Sequence, residues 1–257
     1  MHTQYERLTD GQWKVIKEYL PIKRKRQLDL RDVFDAILWI TRTGAQWRNL
    51  DSSFPDWTAV YYYFYRWTRQ GIIEKINLAL NEYERLELER AKSPSLGIVD
   101  SQSVKLAPRI YEYRGIDGNK KINGRKRQIL TDTLGRIWKA WVHPANEHDS
   151  PAGVQLLKMD EEQIQSLQKI IGDKAYRGTF AKACKELNVV FEVPSRPQGI
   201  KGFVVEAKRW VVERTIAWFN FFRRISIDHE HTRESSVSFL YLANCSMILS
   251  KYRDFGK

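Results

Sequence analysis

Leu96-Gly97-Ile98-Val99-Asp100-Ser101-Gln102-Ser103-Val104-Lys105 is the stretch whose reading decides the fold. Four apolar residues enter it directly after Ser93-Pro94-Ser95, and the apolar run ends on a carboxylate. A short apolar run bounded by turn residues reads as a buried strand. Such a strand fixes Asp100 as a negative charge at the edge of a sheet. The arrangement recurs where Ile170-Ile171-Gly172 leads into Asp173, and the strongly apolar helix around Trp210 carries Glu213. Three acidic side chains, each on a rigid apolar element, are what a divalent-metal phosphoryl-transfer site requires.

Outward from that strand, the pattern predicts strands over Gln128–Asp132 and Arg136–Val142, joined by a Thr133-Leu134-Gly135 turn. Asp149-Ser150-Pro151 opens a helix reaching about Met159. Lys169–Gly172 reads as a strand, Thr179–Leu187 as a helix and Val189–Val193 as a strand, followed by a loop at Pro197-Gln198-Gly199. Long helices are expected over Phe203–Arg224 and Arg233–Lys251. This order is an α/β layer architecture. Two aspartates that follow strands, with a Glu on a later helix, match the layout of an RNase H-like core.

On the helix expected over Phe203–Arg224, Glu206, Arg209, Glu213, Asn220 and Arg224 form one polar stripe opposite Val204, Val211, Trp218 and Phe222. A solvent face with an Arg209–Glu213 pair explains such a stripe. So does a face turned to a metal site and a nucleic-acid backbone, and the two aspartates favour this second reading.

Ahead of the boundary at Ser93-Pro94-Ser95, residues 1–92 read as an all-helical domain. Helices are expected over Gln12–Tyr19, capped by Leu8-Thr9-Asp10, and over Asp29–Thr43, Asp56–Gln70 and Ile72–Ala91, with a basic loop at Lys23-Arg24-Lys25-Arg26. In the third helix, Trp57, Tyr61, Phe64 and Thr68 share a face, and Tyr62, Arg66 and Arg69 lie opposite. An aromatic core face with a merely solvated arginine face explains this pattern, and so does a helix-turn-helix-like module setting Tyr62, Arg66 and Arg69 against DNA, which the context favours. The expected division is a DNA-binding domain over 1–92 and an RNase H-like domain over 96–257.

The net charge of +12 is unevenly spread. Residues 1–95 carry 16 Lys and Arg against 13 acids, whereas residues 96–257 carry 27 against 18. The half with the three carboxylates is the more basic, as suits an enzyme acting on a polyanion. Lys105 to Arg127 holds eight of those cations against Glu112 and Asp117. With glycines at 115, 118 and 124 it reads as a loop or hairpin, either a solvated surface or, beside the carboxylates, a clamp on a phosphate backbone. The two cysteines, Cys184 and Cys245, have no zinc-site spacing. No apolar run approaches a membrane span and no signal core is visible, so a cytoplasmic protein with no membrane partner is expected.

The chain resembles DDE transposases of bacterial insertion sequences, of the insertion sequence five family and its relatives. The resemblance rests on Leu8-Thr9-Asp10-Gly11-Gln12-Trp13, Arg42-Thr43-Gly44-Ala45-Gln46-Trp47-Arg48 and Val60-Tyr61-Tyr62-Tyr63-Phe64. The second half adds Val99-Asp100-Ser101-Gln102-Ser103-Val104-Lys105, Gly124-Arg125-Lys126-Arg127 and Asp173-Lys174-Ala175-Tyr176-Arg177-Gly178. Arg209-Trp210-Val211-Val212-Glu213-Arg214-Thr215 carries it furthest. It implies that Asp100, Asp173 and Glu213 form a catalytic triad holding two Mg²⁺ ions, with Mn²⁺ as a substitute. Two positions depart from the family's signature around the Glu: Glu206 stands at its Tyr and Asn220 at its Lys, and Arg223 or Arg224 is the replacement for the latter. Gln128 stands where close relatives carry a His.

The expected DNA contacts are Lys105, Lys120, Lys121, Arg125, Lys126, Arg127, Lys174, Arg177, Arg209, Arg214, Arg224, Tyr62, Arg66 and Arg69. The implied activity is cleavage at transposon ends and joining of the 3′-hydroxyls to target DNA, within a homodimer or larger synaptic complex on double-stranded DNA. A captured transposase that binds DNA as a repressor is the alternative.

Overall fold

The computed structural model describes residues 5–21, 28–194 and 209–252. They fall into two units, one built from residues up to Leu80 with Phe219–Ser226 and the segment from Glu234, the other from Asn81–Trp218 with Ile227–Arg233. Along the chain the first cut between these units comes between Leu80 and Asn81, ahead of the turn at 93–95. It falls inside a helix, and the helical unit recruits residues from the far end of the chain.

The helical unit contains α1 (Asp10–Ile16), α2 (Leu30–Thr43), α3 (Trp57–Arg69) and the first half of α4 (Ile72–Glu87). Thr9 caps α1 by accepting from the Gln12 backbone N–H, while the Gln12 side chain accepts in return from the Thr9 N–H. Asp29 and Asp56 cap α2 and α3 by accepting from the Arg31 and Thr58 backbone N–H groups. The buried stripe of α3 is Val60, Phe64 and Trp67. Phe64 stacks on Phe239 with ring centroids 4.7 Å apart, and Phe34 packs on Trp67. Tyr61, expected on the core face, is exposed.

The second unit is a sheet with helices. β1 (Leu96–Lys105) pairs antiparallel with β3 (Ile122–Thr131), which pairs with β2 (Gly115–Asp117) and β4 (Ile137–Pro144) along its other edge. On its opposite side β1 runs parallel to β5 (Lys169–Ile171), and β5 runs parallel to β6 (Val190–Glu192). Antiparallel strands on one side of a central strand and parallel strands on the other give the RNase H-like order. Short helices α5 (Asp149–Gly153) and α6 (Glu161–Ser166), then α7 (Thr179–Glu186), connect the later strands. One face of the sheet is closed by Val99, Leu130, Leu156, Ile170, Tyr176 and Phe180.

Of its two expected forms, the basic segment from Lys105 to Arg127 takes the hairpin: β2 pairs antiparallel with the start of β3. Gly124 is required by its close approach to β1: a Cβ there would lie 2.0 Å from the Val104 carbonyl oxygen. The helix expected over Phe203–Arg224 is α8 (Trp210–Trp218) in its described part, followed by a 3₁₀ turn and α9 (Arg223–Ser226). Residues 203–208, with Glu206, and the expected loops at 23–26 and 197–199 lie outside the described residues. The last helix, α10 (Arg233–Lys251), is as expected.

Candidate active site

β1 and β5 are in register through Ile98 and Ile171. Asp100 and Asp173 each stand two residues further on, so the parallel pairing delivers both carboxylates to the same end of adjacent strands. Asp100 Oδ1 accepts from the Ser101 N–H at 2.7 Å. Asp173 Oδ1 accepts from the Ala175 N–H at 2.9 Å and caps a 3₁₀ turn over Lys174–Tyr176. The third acid arrives on α8, which packs against β1. Glu213 is half exposed and accepts from Arg209 Nη2 at 2.8 Å.

These groups act on one another. Burial pushes the Asp100 carboxyl up to about 6, the negative charges of Asp173 and Glu213 push the same way, and the Ser101 N–H and the Arg209 charge oppose them. A carboxylate raised by burial and by two like charges is a candidate for a functional cluster. The donor set is all hard oxygen, which suits Mg²⁺ or Mn²⁺. Among the described residues, no three such side chains stand close enough as placed to hold an ion.

α8 is fastened to the β3–β4 hairpin beside its acid. Thr215 Oγ1 donates to the Gly135 carbonyl at 2.7 Å. Gly135 adopts φ +83°, and a Cβ there would meet Thr215 Oγ1 at 2.6 Å. Arg214 donates to the Leu134 carbonyl at 2.9 Å, its guanidinium lying between the Trp210 and Trp218 rings at 4.7 and 4.5 Å. Arg214 thus braces the helix against the turn, where the sequence suggested a phosphate contact.

On the other face of β1 lies a buried polar chain that the sequence did not reveal. Tyr176 donates its hydroxyl to Gln128 Oε1. Gln128 Nε2 donates to Asp149 Oδ1 at 2.7 Å and lies 3.1 Å from His143 Nε2. Asp149 also meets Lys126 Nζ at 3.3 Å. The only sequence signal was the spacing of Tyr176 three residues after Asp173, since Asp149 reads simply as a helix-capping residue.

The expected DNA contacts divide by burial. Lys105, Lys120, Lys121, Lys174 and Arg177 are exposed on this unit. Arg125, Lys126 and Arg127 are buried and serve the fold. Arg125 is fully enclosed, paired with Asp228 at 3.2 Å and donating to the Glu230 carbonyl at 2.7 Å. Arg127 donates to Gln102 Oε1, and burial holds its guanidinium below its ordinary pKa. In the helical unit, Arg224 is buried over the Trp47 and Phe239 rings, so it is an internal cation–π contact rather than a surface one. Tyr62 and Arg69 are exposed along α3 and Arg66 is partly so, with Arg66 reaching the Tyr62 hydroxyl at 3.4 Å and Arg69 the Tyr65 hydroxyl at 3.1 Å.

An RNase H-like sheet with two aspartates at one strand end and a glutamate on a helix packed against the central strand is the layout expected of a nucleic-acid phosphoryl-transfer protein. Residues 91–249 match the family model described as "Transposase DDE domain", and residues 8–77 match one described as "Putative transposase of IS4/5 family". The chain belongs to the DDE transposases of the IS4/IS5 group, a family that acts on DNA and generally uses divalent metal ions. It is 33% identical over 84 residues to "Uncharacterized protein y4sN" of Sinorhizobium fredii (strain NBRC 101917 / NGR234), a match covering 31% of this chain and 67% of that one. No solved structure matches. Among the described residues, no helix is long and apolar enough to cross a membrane.

Proposed function

We propose that the chain cleaves DNA at the ends of its insertion sequence and joins the freed 3′-hydroxyls to target DNA, using Asp100, Asp173 and Glu213 to hold two Mg²⁺ ions. The observation that carries this reading is the β1–β5 register, which brings Asp100 and Asp173 to one sheet end, with Glu213 close enough to act on the Asp100 charge. When bound, the ions activate the attacking oxygen and stabilise the leaving one in an in-line displacement. The protein's own part is to hold the acids on rigid elements and to set the scissile phosphate against them. Lys174 and Arg177, exposed directly after Asp173, supply positive charge for the backbone beside the site. Lys105, Lys120 and Lys121 extend that charge, and Tyr62, Arg66 and Arg69 on α3 offer the helical unit's own backbone contact. Two ends must be processed together, so a homodimer or larger synaptic assembly on double-stranded DNA is part of the proposal.

The test is cleavage of labelled duplex carrying the element's terminal repeats, with Mg²⁺ or Mn²⁺, beside Asp173→Asn. Metal-dependent 3′-hydroxyl products and joined strands, absent from the variant, are expected. Tight binding to the ends without cleavage under either metal would assign the chain to the repressors instead.

A further inference from the structure

Among the described residues, Arg209 is a cation that engages the acidic cluster directly. Its guanidinium bonds Glu213 at 2.8 Å one helical turn away, and its charge also acts on Asp100 to favour the ionised carboxylate. Arg209 is mostly covered while Glu213 is half exposed. The α8–β1 packing and the β1–β5 register hold this helix against the strand whose end carries Asp100 beside Asp173. One positive charge is therefore shared by two carboxylates that the proposed function assigns to the metal.

We propose that Arg209 is an internal counter-ion that occupies the electrostatic place of the metal: metal entry and the Arg209–Glu213 pair exclude one another, and the metal-loaded site releases the guanidinium to a DNA phosphate. The proposal rests on the metal-site reading above. Without the arginine, three like charges would face one another unneutralised, one of them on a partly buried strand end, which is a costly arrangement. A divalent ion supplies more charge to the same oxygens but must compete with the guanidinium for Glu213. A planar, permanently charged fork freed at that moment is suited to bidentate capture of a phosphate. Metal loading and backbone grip are thereby ordered, with the metal first.

The experiment is Mn²⁺ binding to the full chain at pH 8, followed by electron paramagnetic resonance of the free ion, with no DNA present. Wild type is expected to bind and Glu213→Gln to lose that binding. Arg209→Gln is expected to bind Mn²⁺ about fivefold more tightly, the scale of releasing a partly exposed ion pair. Arg31→Gln, which removes an equal charge from a residue paired with Asp10, is expected to bind like wild type. Arg209→Lys keeps a charge of lesser reach and is expected to fall between wild type and Arg209→Gln; it decides the matter should Arg209→Gln fail to melt cooperatively. Unchanged or weaker affinity in the Arg209 variants, with wild type and Glu213→Gln behaving as stated, would overturn the counter-ion role and leave Arg209 a brace. Absence of binding by wild type, or wild-type binding by Glu213→Gln, would sink the metal-site reading itself and this proposal with it.

Discussion

Thr215, two residues beyond Glu213, gives its hydroxyl proton to the Gly135 carbonyl at 2.7 Å and so fixes the rotation of the acid-bearing helix against the β3–β4 turn. Thr215→Val keeps the shape but strands a buried carbonyl, a loss of ~1–2 kcal/mol. The expected outcome is a modest fall in melting temperature together with a loss of cleavage rate larger than the unfolded fraction explains. Single-turnover kinetics well below the melting temperature measure the difference. A rate equal to wild type under those conditions would show that the bond serves stability alone.

Asp100 gives the pH dependence. Its folded-state pKa, raised to about 6, lies above that of an unfolded aspartate. The native state therefore binds the extra proton between the unfolded value and about 6. That group's contribution to stability is fully present below the unfolded value and is lost as pH rises through about 6. Asp100→Asn should accordingly stabilise the metal-free chain at pH 7.5 by ~2 kcal/mol while abolishing cleavage. Denaturant melts at pH 5 and 7.5 check this, and the gain should be smaller at the lower pH. Metal affinity should run the other way, weakening about tenfold per unit below about 6, because the ligand must be ionised.

Tyr176 is buried with its hydroxyl committed to Gln128. Tyr176→Phe leaves the Gln128 oxygen without that donor and should cost ~1–2 kcal/mol in chemical denaturation. Because Gln128 sits opposite Ser101 in the β1–β3 ladder, next to Asp100, the variant should also weaken Mn²⁺ binding. Equal Mn²⁺ affinities would confine the network to a packing role.

Arg85 pairs with Asp132 at 2.9 Å, both side chains buried, and Asp132 also accepts from the Leu134 and Arg136 N–H groups. Arg85→Met removes the side-chain cation paired with that carboxylate, and breaking a buried pair in this way costs ~3–5 kcal/mol. Loss of the cooperative melt, or a drop of that size in urea, is expected. A change below ~1 kcal/mol would mean that water reaches Asp132.

The arginines of α3 address the other unit. Arg66→Gln and Arg69→Gln together should lower the slope of log K against log salt for end binding by about two, with melting unchanged. An unaltered slope would remove α3 from the DNA-facing surface.

How much of this was legible in the sequence depended on where each partner lay. Asp100 and Asp173 were visible because each follows a local apolar run, and register then needed only one parallel pairing. Arg125 and Arg127 were misread because a strand that buries arginines looks, in sequence, like a solvated clamp. The groups that neutralise Arg125, Asp228 and the Glu230 carbonyl, come from the far end of the chain. The break between α8 and α9 had no signal either, since Trp218-Phe219-Asn220-Phe221 contains no proline or glycine. There, tertiary packing of Phe219 and Phe222 overrides helical continuity. Gln128 and Asp149 were individually unremarkable polar residues, and only the sheet brings them to one another.

The discontinuity of the helical unit governs how the chain can be made. Phe64 and Trp47 leave the ribosome long before Phe239, their partner on α10, and Gln12 waits for the Leu249 carbonyl, its hydrogen-bond acceptor at 2.7 Å. Throughout synthesis of the catalytic unit, the earliest helices therefore present an unfinished apolar face, a period of exposure to aggregation and to chaperones. A fragment cut after residue 92 inherits that open face permanently. A usable separate module must instead carry 234–251 grafted back onto the first three helices.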